Sequence, residues 1–354
     1  MPSLVLIDHR SSHHAGPSGY GRLSQFLSCQ VLPERELALL PWRVQRLFSR
    51  QGGAAYTTVS FSKELALLRE MIRGAGGTAH FLNAENDFFY TGLWSRRFRW
   101  HTIGTFHFPP SSFGAILPKP SALRRLDAAI CVSRSQVSSV KELLGHDRVW
   151  FIPLGVDTDF FCPDAASEAP IDRVCLFVGI HLRDFETLGR VATELSRRRA
   201  TAKVVVIVPA RYATEIRPHP CLEIHTGVSD TDLRDWYRRA ALLLLPVKDA
   251  TATSAILEAM ACGTPIVTND VGGTPDYVSA ECGFLCPVGD AEAMTAAAIQ
   301  LLDDEDLNAR MRAGARRRAQ EFSWPIVAQS IARIYADAPK WRPASESDRF
   351  TRVR

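Results

Sequence analysis

A serine and a glutamate four residues apart, Ser254 and Glu258, open a short helical pattern that follows an apolar run. The run, 241–245, holds no polar residue and stops at Pro246, as a strand buried on both faces of a parallel sheet should. A polar loop, 248–253, leads into a predicted helix Ser254–Ala261, which Gly263 and Pro265 end. A second strand starts at 265–267, and Gly272-Gly273 falls where it stops, before another helix. Turns of this kind aim helix N-termini at the carboxyl edge of a parallel sheet, where such sheets bind ligands and anions are favoured. Glu258 lies one turn inside the first helix, on the face of Ser254. Thr253 and Ser254 stand where a helix cap and an anion-binding group coincide. The segment predicts a phosphate-containing ligand.

Other residues suit the same chemistry. Arg183 lies in the loop Gly179-Ile180-His181-Leu182-Arg183-Asp184-Phe185, beyond another apolar run. A guanidinium there can grip two phosphates bidentately, the alternative being a surface ion pair with Asp184 or Glu186. His107 ends Thr105-Phe106-His107, just past a predicted strand. Gly16 and Gly19 stand in the first strand-to-helix loop, whose Gly-Pro-Ser-Gly-Tyr-Gly does not fit the dinucleotide pattern G-x-G-x-x-G. Asn83, Glu85 and Asn86 follow a further strand end.

Positioning these groups takes a regular alternation of elements. Strands are predicted at 4–7, 78–82, 102–106, 129–132 and 149–152, with helices near 22–27 and at 62–73, 122–128 and 135–144. A second series has strands at 174–178, 203–208 and 222–225, and helices at 185–197, 230–240, 291–302, 307–321 and 325–336. The alternation argues an α/β fold with parallel sheets. A chain of 354 residues suits two domains, here 1–153 and 154–324. A helix at 325–338 and a polar tail, 339–354, expected to be disordered, follow.

Bulk properties narrow the class. The chain is 46% hydrophobic and 23% charged, a soluble globular composition, and its net charge of +4 does not demand nucleic acid. Eight scattered cysteines lack metal-site spacing and read as structural thiols. The first residues lack the basic and long apolar regions of a signal peptide, and no run approaches a membrane span. A cytoplasmic location is expected, with peripheral contact at the inner membrane face as an option. Two basic–aromatic stretches, 42–50 and 94–100, could touch an anionic membrane if the chain acts on a lipid. The simpler reading of both is a solvated face with its aromatic rings tucked inward.

Ser254 to Val278, SAILEAMACGTPIVTNDVGGTPDYV, resembles the signature of retaining GT-B glycosyltransferases of the family-4-like group, glycosyl transferases group 1. The resemblance implies two Rossmann-like α/β domains facing across a cleft, with the last helix crossing back onto the first domain. Glu258 would hydrogen-bond the ribose of a nucleotide-diphosphate sugar, and the amides at Thr253 and Ser254 would hold its pyrophosphate. The family's E-x7-E pattern has Ala250 in place of its first acid, and Asp249 and Thr251 are the candidates to contact the sugar instead. Gly179 to Asp184 is similar to a G-x3-R-D form of the family's pyrophosphate loop, which makes Arg183 a donor-binding and catalytic candidate with Gly179 beside it. His107 matches a T-x-H segment near the transferred sugar and is the other catalytic candidate. Gly16 and Gly273 would lie against the donor, and Asn83 and Glu85 on the acceptor side. Segment 151–161 is similar to the interdomain hinge. The implied reaction retains configuration, needs no metal or cofactor, and takes a sugar, lipid-linked or small-molecule hydroxyl as acceptor. A silent binding or scaffold protein and a nucleotide-sugar epimerase are the alternatives.

Overall fold

The structure, a computed structural model, describes residues 3–8, 19–32, 41–52, 55–117, 119–164 and 172–341. These form two compact units: Tyr20–Pro153 together with 3–8 and 325–341, and Leu154–Trp324 together with Gly19.

The first unit is built on a six-stranded sheet. Its strands are β1 (Ser3–Ile7), β2 (Gln30–Leu32), β3 (Gly77–Phe81), β4 (Trp100–Phe106), β5 (Ala128–Cys131) and β6 (Val149–Phe151). The order is β2-β1-β3-β4-β5-β6 and every pairing is parallel. Every residue of β3 is buried, which is why this strand shows no polar alternation. The helix Thr58–Arg73 begins at a capping box made by Thr57 and Ser60, and Arg134–Leu144 at one made by Ser133 and Gln136. The core joins Val5 and Ile7 of β1, Phe81 of β3 and Phe106 of β4 to Leu67 and Met71 of the first of these helices.

The second unit repeats the design with β7 (Asp172–Val178), β8 (Lys203–Ile207), β9 (Leu222–His225), β10 (Ala240–Leu245), β11 (Ile266–Asn269) and β12 (Gly283–Cys286). Its order is β12-β11-β10-β7-β8-β9, again all parallel. The chain builds outward from β7 to β9, then returns to the other side of β7 with β10. The strand order therefore reverses between β7 and β10, and the crevice beyond their carboxyl ends is where open α/β sheets take ligands.

Three local expectations are corrected. The stretch 122–128 is not one helix: a short helix, Pro120–Leu123, ends early and Ala128 already belongs to β5. Asp127 breaks the helix by accepting hydrogen bonds from the backbone N–H and hydroxyl of Thr102. The stretch near 22–27 is a tighter 3-10 segment, Tyr20–Phe26. Strands β2 and β12 and the helix Trp42–Ser49 are additional elements.

Candidate functional site

In the second unit three loops converge beyond the sheet's carboxyl edge: 179–184 after β7, 246–253 after β10 and 270–273 after β11. The first two are paired through their backbones. Arg183 bridges Val247, Asp184 N–H donates to Pro246 C=O, and Lys248 N–H donates to Leu182 C=O. The third is clamped to the second by Gly273 N–H, which donates to Ala250 C=O at 2.8 Å. Gly272 makes that approach feasible. Its φ is +55°, and a Cβ on it would lie 2.1 Å from the Ala250 oxygen. The Asp249 carboxylate turns inward and accepts Ala250 N–H, while Thr251 is buried beside it.

The helix Ser254–Ala261 starts from this assembly. Thr253 sits in the capping position with extended backbone, but its side chain makes no capping hydrogen bond, and the first turn holds no acid. Glu258 is only 6% exposed. Its Oε2 accepts a hydrogen bond at 3.0 Å from the phenol of Tyr237, a wholly buried residue of the helix Asp230–Arg239. Burial and the adjacent Glu258 carboxylate push the Tyr237 phenol well above its ordinary range, so it stays a donor. Ser254, Leu257 and Glu258 line a small cleft with Gly155, Val156 and Asp157.

Arg183 lies near enough to Tyr237 and Glu258 to feel them electrostatically. Its Nε donates to Val178 C=O and its Nη1 to His181 C=O, both at 3.0 Å. Burial lowers its pKa to about 10, against the opposing influence of Tyr237 and Glu258, and it remains a cation at neutral pH. The alternative of an ion pair with Asp184 is not what forms. Asp184 caps the helix Phe185–Arg198 instead, accepting Thr187 N–H and the Thr187 hydroxyl. Gly179, Arg183, Asp249, Thr251, Thr253, Ser254, Glu258 and Gly273 are thus all placed at one sheet edge.

The remaining candidates belong to the first unit. His107 follows β4, and its N–H and that of Phe108 donate to Glu85 Oε1 at 2.6 and 3.0 Å. Its Nε2 bonds to Leu82 C=O at 2.7 Å; a carbonyl only accepts, so Nε2 carries the proton. Glu85 is buried and serves as the anchor of the His107 loop. Asn83 is half-buried, with an Oδ1 that finds no partner among the described residues. Gly16 lies outside the described residues. Beneath His107 sits a group that the sequence did not signal. His80 of β3 bonds Thr105 Oγ1 at 2.7 Å and the Tyr335 hydroxyl at 2.6 Å. The Tyr20 ring meets the edges of both histidines, with centroids 5.3 Å from His107 and 6.3 Å from His80.

Three Asp-x-Asp triplets, 157–159, 230–232 and 304–306, carry the residue types of a cation site but serve local structure, the last through Asp304, which accepts Leu307 N–H at a helix start. Asp157 accepts the N–H groups of Asp159 and Phe160, and Asp232 bonds Ser229 at a helix start. Among the described residues, no group of three or more His, Cys, Asp or Glu is placed to hold a metal ion. No described helix is long and apolar enough to cross a membrane.

Known proteins share this architecture. Residues 172–304, which run from β7 to the end of the helix Ala291–Asp303 beyond β12, match the family described as Glycosyl transferases group 1. D-inositol 3-phosphate glycosyltransferase of Xylanimonas cellulosilytica is 28% identical over 261 residues, 66% of this chain and 63% of that protein. The protein of the same name from Streptomyces scabiei is 35% identical over 65% of this chain and 58% of its own length. The chain thus spans about 63% of the length of the first of these relatives and 58% of the second. Among solved structures, sucrose-phosphate synthase of Thermosynechococcus elongatus superposes with a TM-score of 0.72 at 17% identity, covering 97% of this chain and all (100%) of that one. Anabaena HepE, solved with UDP and glucose, gives 0.69 at 12% identity over 95% of this chain and 100% of that one. These two likenesses are of fold: two α/β units on six-stranded parallel sheets, the GT-B fold. The segment 172–304 thus matches the glycosyl transferases group 1 family, within a chain whose two units have the GT-B fold.

Proposed function

We propose that this chain transfers a sugar from a nucleotide-diphosphate sugar to a hydroxyl acceptor, with retention of configuration and without a metal ion. The observation that carries the proposal is the buried Glu258, braced by Tyr237, one turn inside a helix whose N-terminus has no side-chain cap, with the Arg183 cation nearby. A buried carboxylate accepts hydrogen bonds from a diol, which suits the ribose hydroxyls of a nucleotide. The uncapped N–H groups of the first turn and the Arg183 guanidinium suit the diphosphate.

The chemistry follows from the charge that develops. As the glycosidic bond to the donor breaks, negative charge grows on the leaving diphosphate. Fixed N–H dipoles and a guanidinium already aimed at it stabilise that charge without reorganisation. The acceptor hydroxyl would attack on the face the diphosphate leaves, which retains configuration, and we assign no protein nucleophile. His107, with its Nε2–H tied to Leu82, is proposed to hold the sugar end of the donor by its ring and backbone. Asp249 and Thr251 are proposed to contact the sugar where Ala250 leaves no acid, and Asn83 and Glu85 to shape the acceptor side. The donor class is in keeping with the UDP and glucose of Anabaena HepE, and a hydroxyl acceptor with the names of the curated relatives.

Ala250 also supports a second reading, a binding protein without turnover, because the acid of E-x7-E that would touch the sugar is missing. A donor-hydrolysis screen across nucleotide sugars, with and without hydroxyl acceptors and EDTA, separates the possibilities. Acceptor-dependent release of the nucleotide diphosphate that survives EDTA is expected. Tight nucleotide binding without turnover of any donor points to the silent protein. Turnover without acceptor that returns an isomerised donor points to an epimerase. Strict dependence on added Mg²⁺ or Mn²⁺ overturns the metal-free mechanism.

A further inference from the structure

The two basic–aromatic stretches of the sequence, some fifty residues apart, meet in the first unit. The helix Trp42–Ser49 lies on the helix Thr58–Arg73 and turns Gln45 and Ser49 inward, where Gln45 accepts from the Ser62 hydroxyl. The opposite face carries Arg43, Arg46, Leu47 and Arg50, all exposed and spaced three or four residues apart. Phe48 stacks on Phe61 and meets Tyr90, whose hydroxyl donates to Phe48 C=O. Tyr90 stacks in turn on Trp94, which brings exposed Leu93, Arg96 and Arg97 to the same region. Lys119 reaches Gln51 at 3.1 Å, and the Arg125 side chain packs against Gly92.

Two features single out this face. Neither 41–63 nor 88–126 contains an aspartate or glutamate. Asp87 is buried against Lys63, and Glu64 is buried beneath Phe89, Tyr90 and Thr91, whose N–H groups its carboxylate accepts. The nearest acids on the other side in sequence, Glu34 and Glu36, lie outside the described residues. Moreover, of eight large apolar side chains exposed among the described residues, three lie here: Leu47 at 61%, Phe48 at 41% and Leu93 at 58%. Cations alone suit any polyanion. Cations with apolar side chains standing between them suit a surface that is anionic at the headgroups and apolar just beneath.

We propose that this face docks on an anionic lipid bilayer, with Arg43, Arg50, Arg96 and Arg97 at the headgroups and Leu47, Phe48 and Leu93 below them. The proposal is independent of the transferase reading. The test is co-sedimentation of the full chain with vesicles of phosphatidylcholine alone and of equal parts phosphatidylcholine and phosphatidylglycerol. Binding only to the anionic vesicles, weakening with salt, is expected. Each arginine removed in the triple Arg43→Ser, Arg50→Ser and Arg97→Ser should weaken it roughly fivefold. Leu47→Ser should weaken it several-fold at unchanged charge. A matched triple on the second unit, Arg190→Ser with Arg197→Ser and Arg217→Ser, should change nothing. Equal binding to neutral vesicles, no binding, or an unchanged arginine triple overturns the proposal. So does indifference to Leu47→Ser with full competition by soluble heparin, which would make the face a polyanion site. Unaltered nucleotide affinity and melting temperature show that the variants fold; if the triple does not, Leu47→Ser and the salt series still decide.

Discussion

At the scale of single residues, the site turns on how a carboxylate is aimed while almost fully buried. Glu258 has the Tyr237 phenol on one oxygen and the Arg183 cation nearby, and together they offset the loss of water. Glu258→Ala removes the acceptor itself and should cost at least tenfold in affinity for a nucleoside diphosphate by calorimetry. Tyr237→Phe keeps the packing and removes one hydrogen bond to a charged group, worth about 1.5–3 kcal/mol. It should weaken nucleotide binding several-fold without unfolding the unit, and an affinity equal to wild type would show that Tyr237 does not position Glu258. Arg183 acts on a different part of the ligand. Arg183→Ala should reduce affinity for the diphosphate far more than for the nucleoside, and a uniform loss across both would count against its assignment to the phosphates.

At the scale of elements, the site depends on three loops that hold one another. Gly272 is the point of greatest constraint, with a left-handed φ and the Ala250 carbonyl where a side chain would begin. Gly272→Ala should lower stability by about 1–3 kcal/mol and, because 246–253 must shift with it, weaken nucleotide binding as well. Loss of stability with full nucleotide affinity would mean that the clamp does not position the helix Ser254–Ala261. Much of this element structure is legible in the sequence. The apolar run at 241–245, the helix behind it and Gly272-Gly273 follow from pattern alone, because a strand buried on both faces and a helix stopped by Gly263 leave local marks. Short edge strands leave almost none: β2 is three residues with two exposed, and β12 opens on a glycine. Asp127 misled because its partner, Thr102, is on a neighbouring strand. Tyr237 and His80 were silent for the same reason. Their meaning lies in Glu258, Thr105 and Tyr335, residues far off in sequence that only the fold brings close.

At the scale of the whole molecule, the first unit is discontinuous: the chain leaves it at Pro153 and returns at Pro325. The return is fastened deep in the sheet, where Tyr335 of the last helix bonds His80 of β3, and at the rim, where Trp341 stacks on Trp150. His80 is wholly buried, and burial, with a smaller contribution from His107, lowers its pKa to about 3 from an ordinary 6.5. The sign of the consequence follows from linkage. Below about pH 6.5 the unfolded chain takes up a proton at His80 that the folded chain refuses until about pH 3. Stability tied to His80 is therefore complete above pH 6.5 and is lost as the pH falls toward 3, a window that spans a few kcal/mol at most. His80→Gln can still bond Thr105 or Tyr335 but does not titrate. It should be less stable than wild type at neutral pH, and the gap should shrink or reverse in mild acid. Glu64, whose carboxyl burial pushes up, contributes with the opposite sign but is present in both proteins, so the difference between their curves isolates His80. Denaturant unfolding at about pH 7 and about pH 4.5, within that window, is the measurement. Parallel declines in the two proteins would mean that His80 is not the group through which acid loosens the fastening of the last helix.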